Sequence, residues 1–432
     1  MDSLTVPHAL YQLLGALVSL PVSLASALSG RYGGHWLDRL GYTAAGGRKP
    51  IWFHCASVGE AQSAALLLKA LQEQLDYPQY LLSVSTPAGL SHAEKLFKDD
   101  KKVQVIAGPL DHWGAPRRIF DRVEPCALIL VENEIWPGLL RKAQQREVPV
   151  ILAAGRISEK SLRHYRLFPS FFRQLFSSMS LITLISRKDE ARLILLGVDP
   201  DKLLVLGSPK FDTLITLARN EPPLPAPLSK GPYLLVAGST HPGEEELILK
   251  ALAKLLPGKS AENSPVKLIL APRHTERAAE ILELARRKGF TADYTNDPKA
   301  TTDSLPQVGI VSTMGKLKAF YEIGDLAIVG GSFFQSYQGH NPYEPAALGK
   351  PVIFGPYMSS FSGEADLLIE AEGAISVEPS TLAAVLAQYV DDPALSHKTG
   401  LNAKEALASQ SLVAPIIASQ ISCALGDKIK KP

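Results

Sequence analysis

Three carboxylates and one ammonium stand where they could move a proton or meet a developing charge. Glu60 closes the stretch "WFHCASVGE" (52–60), an apolar run that passes through small residues into an Ala/Leu-rich helical pattern. A carboxylate on the first turn of a helix, beside a loop of small residues, leaves room for a substrate and can act as a general base. The same position suits an acid that only stabilises the helix dipole. Glu132 and Glu134 flank Asn133 in "ENEIWPG" (132–138), after another apolar run. In extended chain they point to opposite faces, so one of the two is expected at the site. Lys210, in "GSPKFD" (207–212), lies in a Gly/Pro-containing turn, where a lysine can meet developing negative charge.

A second group of residues has the chemistry to hold a phosphate. In "GSTHPGEEE" (238–246), Pro242 and Glu244–Glu246 mark the first turn of a helix. Its free N–H groups could hold an anion, although an ordinary capped helix start has the same pattern. Arg273, in "PRHTER" (272–277), offers either a planar fork to a phosphate or an ion pair to Glu276. In "GHNPYEPAALGKP" (339–351), Gly339 permits close backbone approach, and Asn341 is biased away from helix by Pro342. Glu344 then falls in the first turn of a short helix, where it either accepts both hydroxyls of a ribose or caps the turn.

The elements that must position these groups are legible as apolar runs. "PIWFHCA", "YLLSVST", "VQVIAGP", "CALILVEN" and "VPVILAAG" alternate with helical stretches, and the alternation restarts at "YLLVAGST", "VKLILAPR", "LAIVGGS" and "KPVIFGP". Runs of this length without polar alternation predict parallel strands buried on both faces. "RNEPPLPAPLSKGP" (219–232) has five prolines in fourteen residues and can continue neither helix nor central strand. It predicts a linker between two doubly wound α/β domains, 36–218 and 233–432, with the last helix free to pack back on the first. Ligands of such sheets bind outside the carboxyl ends of the strands, so the cleft between the domains is the expected site.

Composition narrows the function. A net charge of +2 excludes broad coating of nucleic acid. Cys55, Cys126 and Cys423 form no C-x-x-C pair, and the ten histidines show no H-E-x-x-H spacing. Neither a disulfide framework nor a metal site is expected, and a reducing compartment fits. Residues 1–35 form a hydrophobic segment in which "ALYQLLGALVSLPVSLASAL" (9–28) has no charge, which predicts membrane association. A cleaved signal ending at "ASA" (25–27) and a buried helix are the competing readings, the former weakened by Asp2 and the lack of Lys or Arg ahead of the segment. Residues 141–173 carry eight Lys/Arg against two Glu, and "HYRLFPSFFRQLF" (164–176) mixes Arg with bulky apolar groups. That mixture suits anionic lipid, or a solvated helix face over a core stripe.

In this order, "WFHCASVGE", "ENEIWP", "GRISEKSLRHY", "KFD", "GSTHPGEEE", "PRHTER", "TMG" and "GGSFF…GHNPYEPAALGKPVIFGP" resemble the 3-deoxy-D-manno-octulosonic acid (Kdo) transferases of lipopolysaccharide synthesis. The resemblance covers nearly the whole chain after about residue 36. It implies a GT-B glycosyltransferase: two Rossmann-like domains facing a cleft, a membrane-associated N-terminal helix, and a place on the cytoplasmic face of the inner membrane. It also implies an inverting transfer of Kdo from CMP-Kdo to the lipid A precursor, with no cofactor besides the donor. By the same resemblance Glu60 is the base, and Glu132 and Lys210 stabilise the transition state. Pro272, Arg273, Met314, Gly315, Lys316, Asn341, Pro342, Tyr343 and Glu344 match the segments that hold CMP. The chain departs from the family's pattern at "STMGKL" (312–317), where Ser312 and Lys316 replace two acids and make the neighbourhood more positive. It also has "AGR" (154–156) for "NAR", "QGHNP" for "GGHNP" and "ENE" for "ETE". A GT-B transferase using a UDP-sugar, a sugar-nucleotide epimerase on the same fold, and a non-catalytic membrane scaffold remain alternatives.

Overall fold

The computed structural model describes residues 35–42, 49–111, 114–220, 232–256, 264–298 and 304–426. The expected N-terminal membrane segment and most of the Pro-rich linker lie outside the described residues. The chain divides into two compact units: the first runs to Asp212 and takes up Leu412 onward, and the second spans Thr213–Ser411.

In the first unit the strands are β1 (Ile51–Cys55), β2 (Tyr80–Val84), β3 (Val103–Ala107), β4 (Ala127–Val131), β5 (Val150–Gly155), β6 (Leu181–Leu184) and β7 (Leu203–Val205). They form one parallel sheet in the order β3-β2-β1-β4-β5-β6-β7. The second unit holds β8 (Tyr233–Thr240), β9 (Val266–Pro272), β10 (Ala292–Tyr294), β11 (Val308–Ile310), β12 (Leu326–Val329), β13 (Val352–Phe354) and β14 (Ala374–Ser376). These also form a parallel sheet, ordered β10-β11-β9-β8-β12-β13-β14. Every apolar run read as a strand is one. β1, β2 and β4 are buried along their whole length because helices cover both faces.

Each sheet has a point where the strand order reverses, between β1 and β4 in the first and between β8 and β12 in the second. The loops after those strands part there and leave a crevice at the carboxyl end. "ASVGE" follows β1, "ENEIWPG" follows β4, "HPGEEE" follows β8 and "GGSFF" follows β12.

The helices that matter below are α1 (Val58–Gln74), α2 (Pro137–Gln145), α3 (Glu159–Tyr165), α4 (Pro169–Ser177), α5 (Glu244–Leu255), α6 (Leu317–Ile323), α7 (Tyr343–Ala347), α8 (Pro393–Ala408) and α9 (Val413–Leu425). The helix α9 belongs to the first unit, so the second ends at Ser411 rather than at the chain's end. Its Ala414, Ile417, Ala418, Ile421 and Leu425 join the core formed by α1 and β1. The Asp212 carboxylate accepts from Val413 N (2.8 Å) and Ala414 N (2.7 Å), which caps α9 and ties it to the end of the first unit. By length and composition Pro393–Leu425 is apolar enough to cross a membrane. The stretch is interrupted at 409–412, however; α9 buries an apolar face in the first unit, and α8 buries a mixed face that includes Ser396, Thr399 and Lys404 in the second.

Candidate active site

In the first unit the site begins where β1 ends. Ser57 is the N-cap of α1, and its Oγ accepts from Glu60 N (3.3 Å). Glu60 answers with a capping box: its Oε2 accepts from Ala56 N (2.6 Å) and Ser57 N (3.0 Å). The helix-start role therefore falls to Oε2, and neither bond uses Oε1. Glu60 is buried, which pushes its pKa above the ordinary carboxylate range. The charge of Glu134 raises it further, the two backbone bonds hold it back, and Glu132 adds a smaller upward push. A carboxylate in this state binds a proton more readily than one in water.

Glu132 follows β4 with a φ of +62°, in the left-handed region that non-glycine residues rarely adopt. That turn breaks the strand's alternation, so Glu132 and Glu134 both become buried in the same charged neighbourhood as Glu60. The expectation that only one of them faces the site is thus not met. Glu132 Oε1 accepts from Ser63 Oγ (2.8 Å), and Lys210 Nζ lies 2.7 Å from Oε1 and 2.9 Å from Oε2. Lys210 sits in the 3-10 turn Pro209–Phe211. A Cβ at Gly59 would lie 3.5 Å from Lys210 Nζ, an ordinary contact distance, so the ammonium stands beside the first turn of α1. Glu134 Oε2 accepts from Trp136 Nε1 (2.5 Å) and lies 3.5 Å from His54 Nε2. Asp111 accepts from Gly138 N and Leu139 N (2.6 Å each), which fixes the start of α2 behind this loop. Glu60, Glu132 and Lys210 are therefore brought together. Neither His54 nor Asp111 stands out by residue type or spacing, because one sits inside a buried strand and the other in an irregular loop.

In the second unit Glu244, in the first turn of α5, is fully buried at the switch point. It accepts from Gly331 N (2.7 Å), Ser332 N (2.9 Å), Phe333 N (3.0 Å) and His241 N (2.9 Å), so it ties the end of β8 to the loop after β12. His241 Nε2 and His340 Nε2 lie 2.8 Å apart, one donating to the other, and the rings stack. Tyr337 stacks on the other contact of His241 at 4.0 Å between centroids. Burial first, then the neighbouring His340, His274, Arg277 and Arg273, lower the His241 pKa to about 4. Burial, Arg273 and His274 lower that of His340 as well. The two rings form a neutral pair in a cationic setting. This cluster escaped the sequence reading because its members lie about a hundred residues apart.

Pro272 is buried at the end of β9, while Arg273 is exposed and makes no ion pair among the described residues. His274 rather than Arg273 approaches Glu276, at 3.6 Å. Met314, Gly315 and Lys316 form an exposed loop ahead of α6, with Gly315 at φ +80°. Asn296 fastens that loop: it donates to Ser312 Oγ (2.9 Å) and accepts from Ser312 N (3.0 Å) and Thr313 Oγ1 (3.1 Å). Asn341 Oδ1 accepts from Tyr343 N (3.0 Å), and its Nδ2 donates weakly to Glu344 Oε1 (3.4 Å). Pro342 and Tyr343 are buried, and Glu344 lies in the first turn of α7 as expected. Burial raises its pKa, against Asn341 and Lys318. The Tyr321 hydroxyl stands over Gly238 at the end of β8, and burial, with a smaller contribution from Glu344, raises its pKa.

Chemically, the first unit presents a raised-pKa carboxylate beside a lysine–carboxylate pair, which suits removal of a proton from a hydroxyl. The second presents an arginine without an ion pair among the described residues, a short helix start with a carboxylate, and a histidine pair, which suit an anionic nucleotide. Among the described residues no group of three or more His, Cys, Asp or Glu could hold a metal ion.

A family model described as 3-deoxy-D-manno-octulosonic-acid transferase (kdotransferase) matches residues 34–213. The 3-deoxy-D-manno-octulosonic acid transferase of Haemophilus influenzae is 32% identical over 367 residues, covering 82% of this chain and 83% of its own. That of Bordetella pertussis is 30% identical over 331 residues, covering 76% of each. Among solved structures, the Anabaena HepE protein in complex with UDP superposes with a TM-score of 0.58 at 17% identity, over 87% of this chain and 99% of its own. UDP-GlcNAc 2-epimerase from Neisseria meningitidis bound to UDP-GlcNAc gives 0.55 at 12% identity, over 87% and 99%. The structural likenesses show a shared GT-B-like architecture. The sequence likenesses, which run through both units, go further: the chain belongs to the Kdo transferase family and is a glycosyltransferase.

Proposed function

We propose that the protein transfers Kdo from CMP-Kdo to a hydroxyl of the lipid A precursor, with inversion and with Glu60 as general base. The observation that carries this is the state of Glu60: one carboxylate oxygen holds the start of α1, the other takes no part in the cap, and burial raises its affinity for a proton. The acceptor O–H proton passes to Glu60 as the acceptor oxygen bonds to the anomeric carbon of Kdo. The bond from that carbon to the phosphate oxygen breaks, and its electron pair leaves with CMP. Lys210, held by Glu132, supplies positive charge to the transition state.

For the nucleotide, support comes from Arg273, which makes no ion pair among the described residues, and from Glu344 and Asn341, which suit ribose hydroxyls. Pro272, Pro342 and Tyr343 shape the same loops, and Met314–Lys316 form the exposed loop for the base. For the lipid, α3 and α4 meet at Leu167 and Phe168, which are 69% and 49% exposed, with Arg163, Arg166 and Arg173 alongside in the chain. Such a corner fits the anionic surface of the inner membrane from its cytoplasmic side.

The test is the mass of the product formed from lipid A precursor in detergent with freshly made CMP-Kdo, run beside a panel of UDP-sugars. The proposal expects the mass of one or more Kdo units with CMP-Kdo alone. Because Ser312 and Lys316 replace acids, a UDP-sugar donor is the second reading, and a hexose mass gain in place of Kdo would establish it.

A further inference from the structure

Behind the carboxylate cluster runs a chain of hydrogen-bonding groups that the proposed chemistry does not use. His54, the fourth residue of β1, is completely buried. Its Nδ1 lies 2.7 Å from Ser83 Oγ on β2, and Ser83 Oγ accepts from Trp52 Nε1 at 2.7 Å. An indole N–H can only donate, and the serine has a single proton. The other acceptor within its reach, Phe53 O, is farther away at 3.4 Å. The network therefore assigns the serine proton to His54 Nδ1 and places the imidazole's own proton on Nε2. Nε2 is buried with no hydrogen-bond partner among the described residues, and Glu134 Oε2 lies 3.5 Å from it. The same Oε2 receives Trp136 Nε1–H at 2.5 Å. A Cβ at Gly108, after β3, would come within 3.0 Å of His54 Cε1, so that loop leaves room only for the ring.

Trp136, from the turn after β4, thus donates to one oxygen of a buried carboxylate, and the imidazole of His54 on β1 stands against that same oxygen. Neither carries the formal positive charge that Lys210 gives Glu132. Of the two neighbouring carboxylates, Glu134 raises the Glu60 pKa more than Glu132 does. We propose that Glu134 is a positioning residue for the transfer reaction: His54 and Trp136 lock its carboxylate in the buried cluster, where its charge helps Glu60 hold the acceptor's proton. This rests on Glu60 being the base. The charged groups that act on Glu60 are Glu134 and Glu132, the latter paired with Lys210, while the Cys55 thiol beside them is kept neutral by burial and these carboxylates. Those around Glu134 are His54, Tyr165, Cys55 and Glu60.

The arrangement supplies its own clean probe. Both contacts of Glu134 fall on Oε2, so the amide oxygen of Glu134→Gln can take both while the charge is lost. The experiment is kcat/KM against pH for the wild type, Glu134→Gln, Glu134→Asp and Glu60→Gln. In Glu134→Gln the acidic limb is expected to move to lower pH, and the plateau to fall by about 3- to 10-fold as the base weakens. Glu134→Asp, which keeps the charge but withdraws it by one methylene, is expected to move the limb less in the same direction. A uniform loss at every pH with the limb in place means a structural role and overturns the proposal, provided Glu60→Gln is inactive. Full turnover by Glu60→Gln overturns the base assignment and this inference together.

Discussion

The two oxygens of Glu60 have different occupations, and the whole account depends on that division. Because the folded state raises its pKa, the group's contribution to stability is complete below its ordinary value of 4.5. It is lost as pH rises through the folded value, since the buried anion must then be tolerated. Glu60→Gln keeps an acceptor for the two backbone N–H groups and has no charge to bury. Its stability relative to the wild type is expected to rise between pH 4 and pH 7, measured by urea unfolding with tryptophan fluorescence. A relative stability that falls over that interval would contradict the assignment. Lys210→Met leaves Glu132 buried beside Ser63 without its cation. Because Lys210 is more than a third exposed, the expected loss is about 1–2 kcal/mol, below the range for a fully buried pair. The same unfolding assay reads it. Glu60, Lys210 and Glu344 were legible because their types are unusual just after a strand or at a turn. His54, Asn296 and the joint burial of Glu132 and Glu134 were not. A histidine inside a strand looks like core, an asparagine in a loop looks like a turn, and a positive φ at Glu132 has no signature in a residue type that seldom adopts it.

At the scale of elements, the longer buried strands were legible, and β6, β7, β10, β11 and β14, of three or four residues each, were not. β10 and β14 have three residues each and are partly exposed, so they carry no apolar run to read. The C-terminal helix shows how a contact distant in sequence decides an element's place. Its apolar face alone could have covered either sheet. Asp212 decides it, since its carboxylate accepts the first two amides of α9 from two hundred residues away. Asp212→Ala is expected to destabilise the first unit by about 1–2 kcal/mol through loss of the cap. It should also speed amide exchange in α9 and in the α1 face that α9 covers. Exchange in α9 unchanged from the wild type would show that apolar packing alone holds the helix.

At the scale of the molecule, the chain is two doubly wound units, and the proposed chemistry divides between them: proton abstraction in the first, nucleotide binding in the second. All four tryptophans precede residue 137, so their fluorescence reports the first unit alone. CMP at a hundred times its Kd should slow exchange by up to about 100-fold in the loops of 238–246, 272–277, 312–317 and 339–345. Protection confined instead to 55–61 and 131–136 would contradict the assignment of the nucleotide to the second unit. The most direct test of the central claim is the single-turnover rate of Kdo transfer by Glu60→Gln, with CMP-Kdo and lipid A precursor both saturating. Loss of a general base predicts a rate lower by about 100- to 10,000-fold. A rate within a few-fold of the wild type would mean that Glu60 does no more than start α1, and that another group removes the proton.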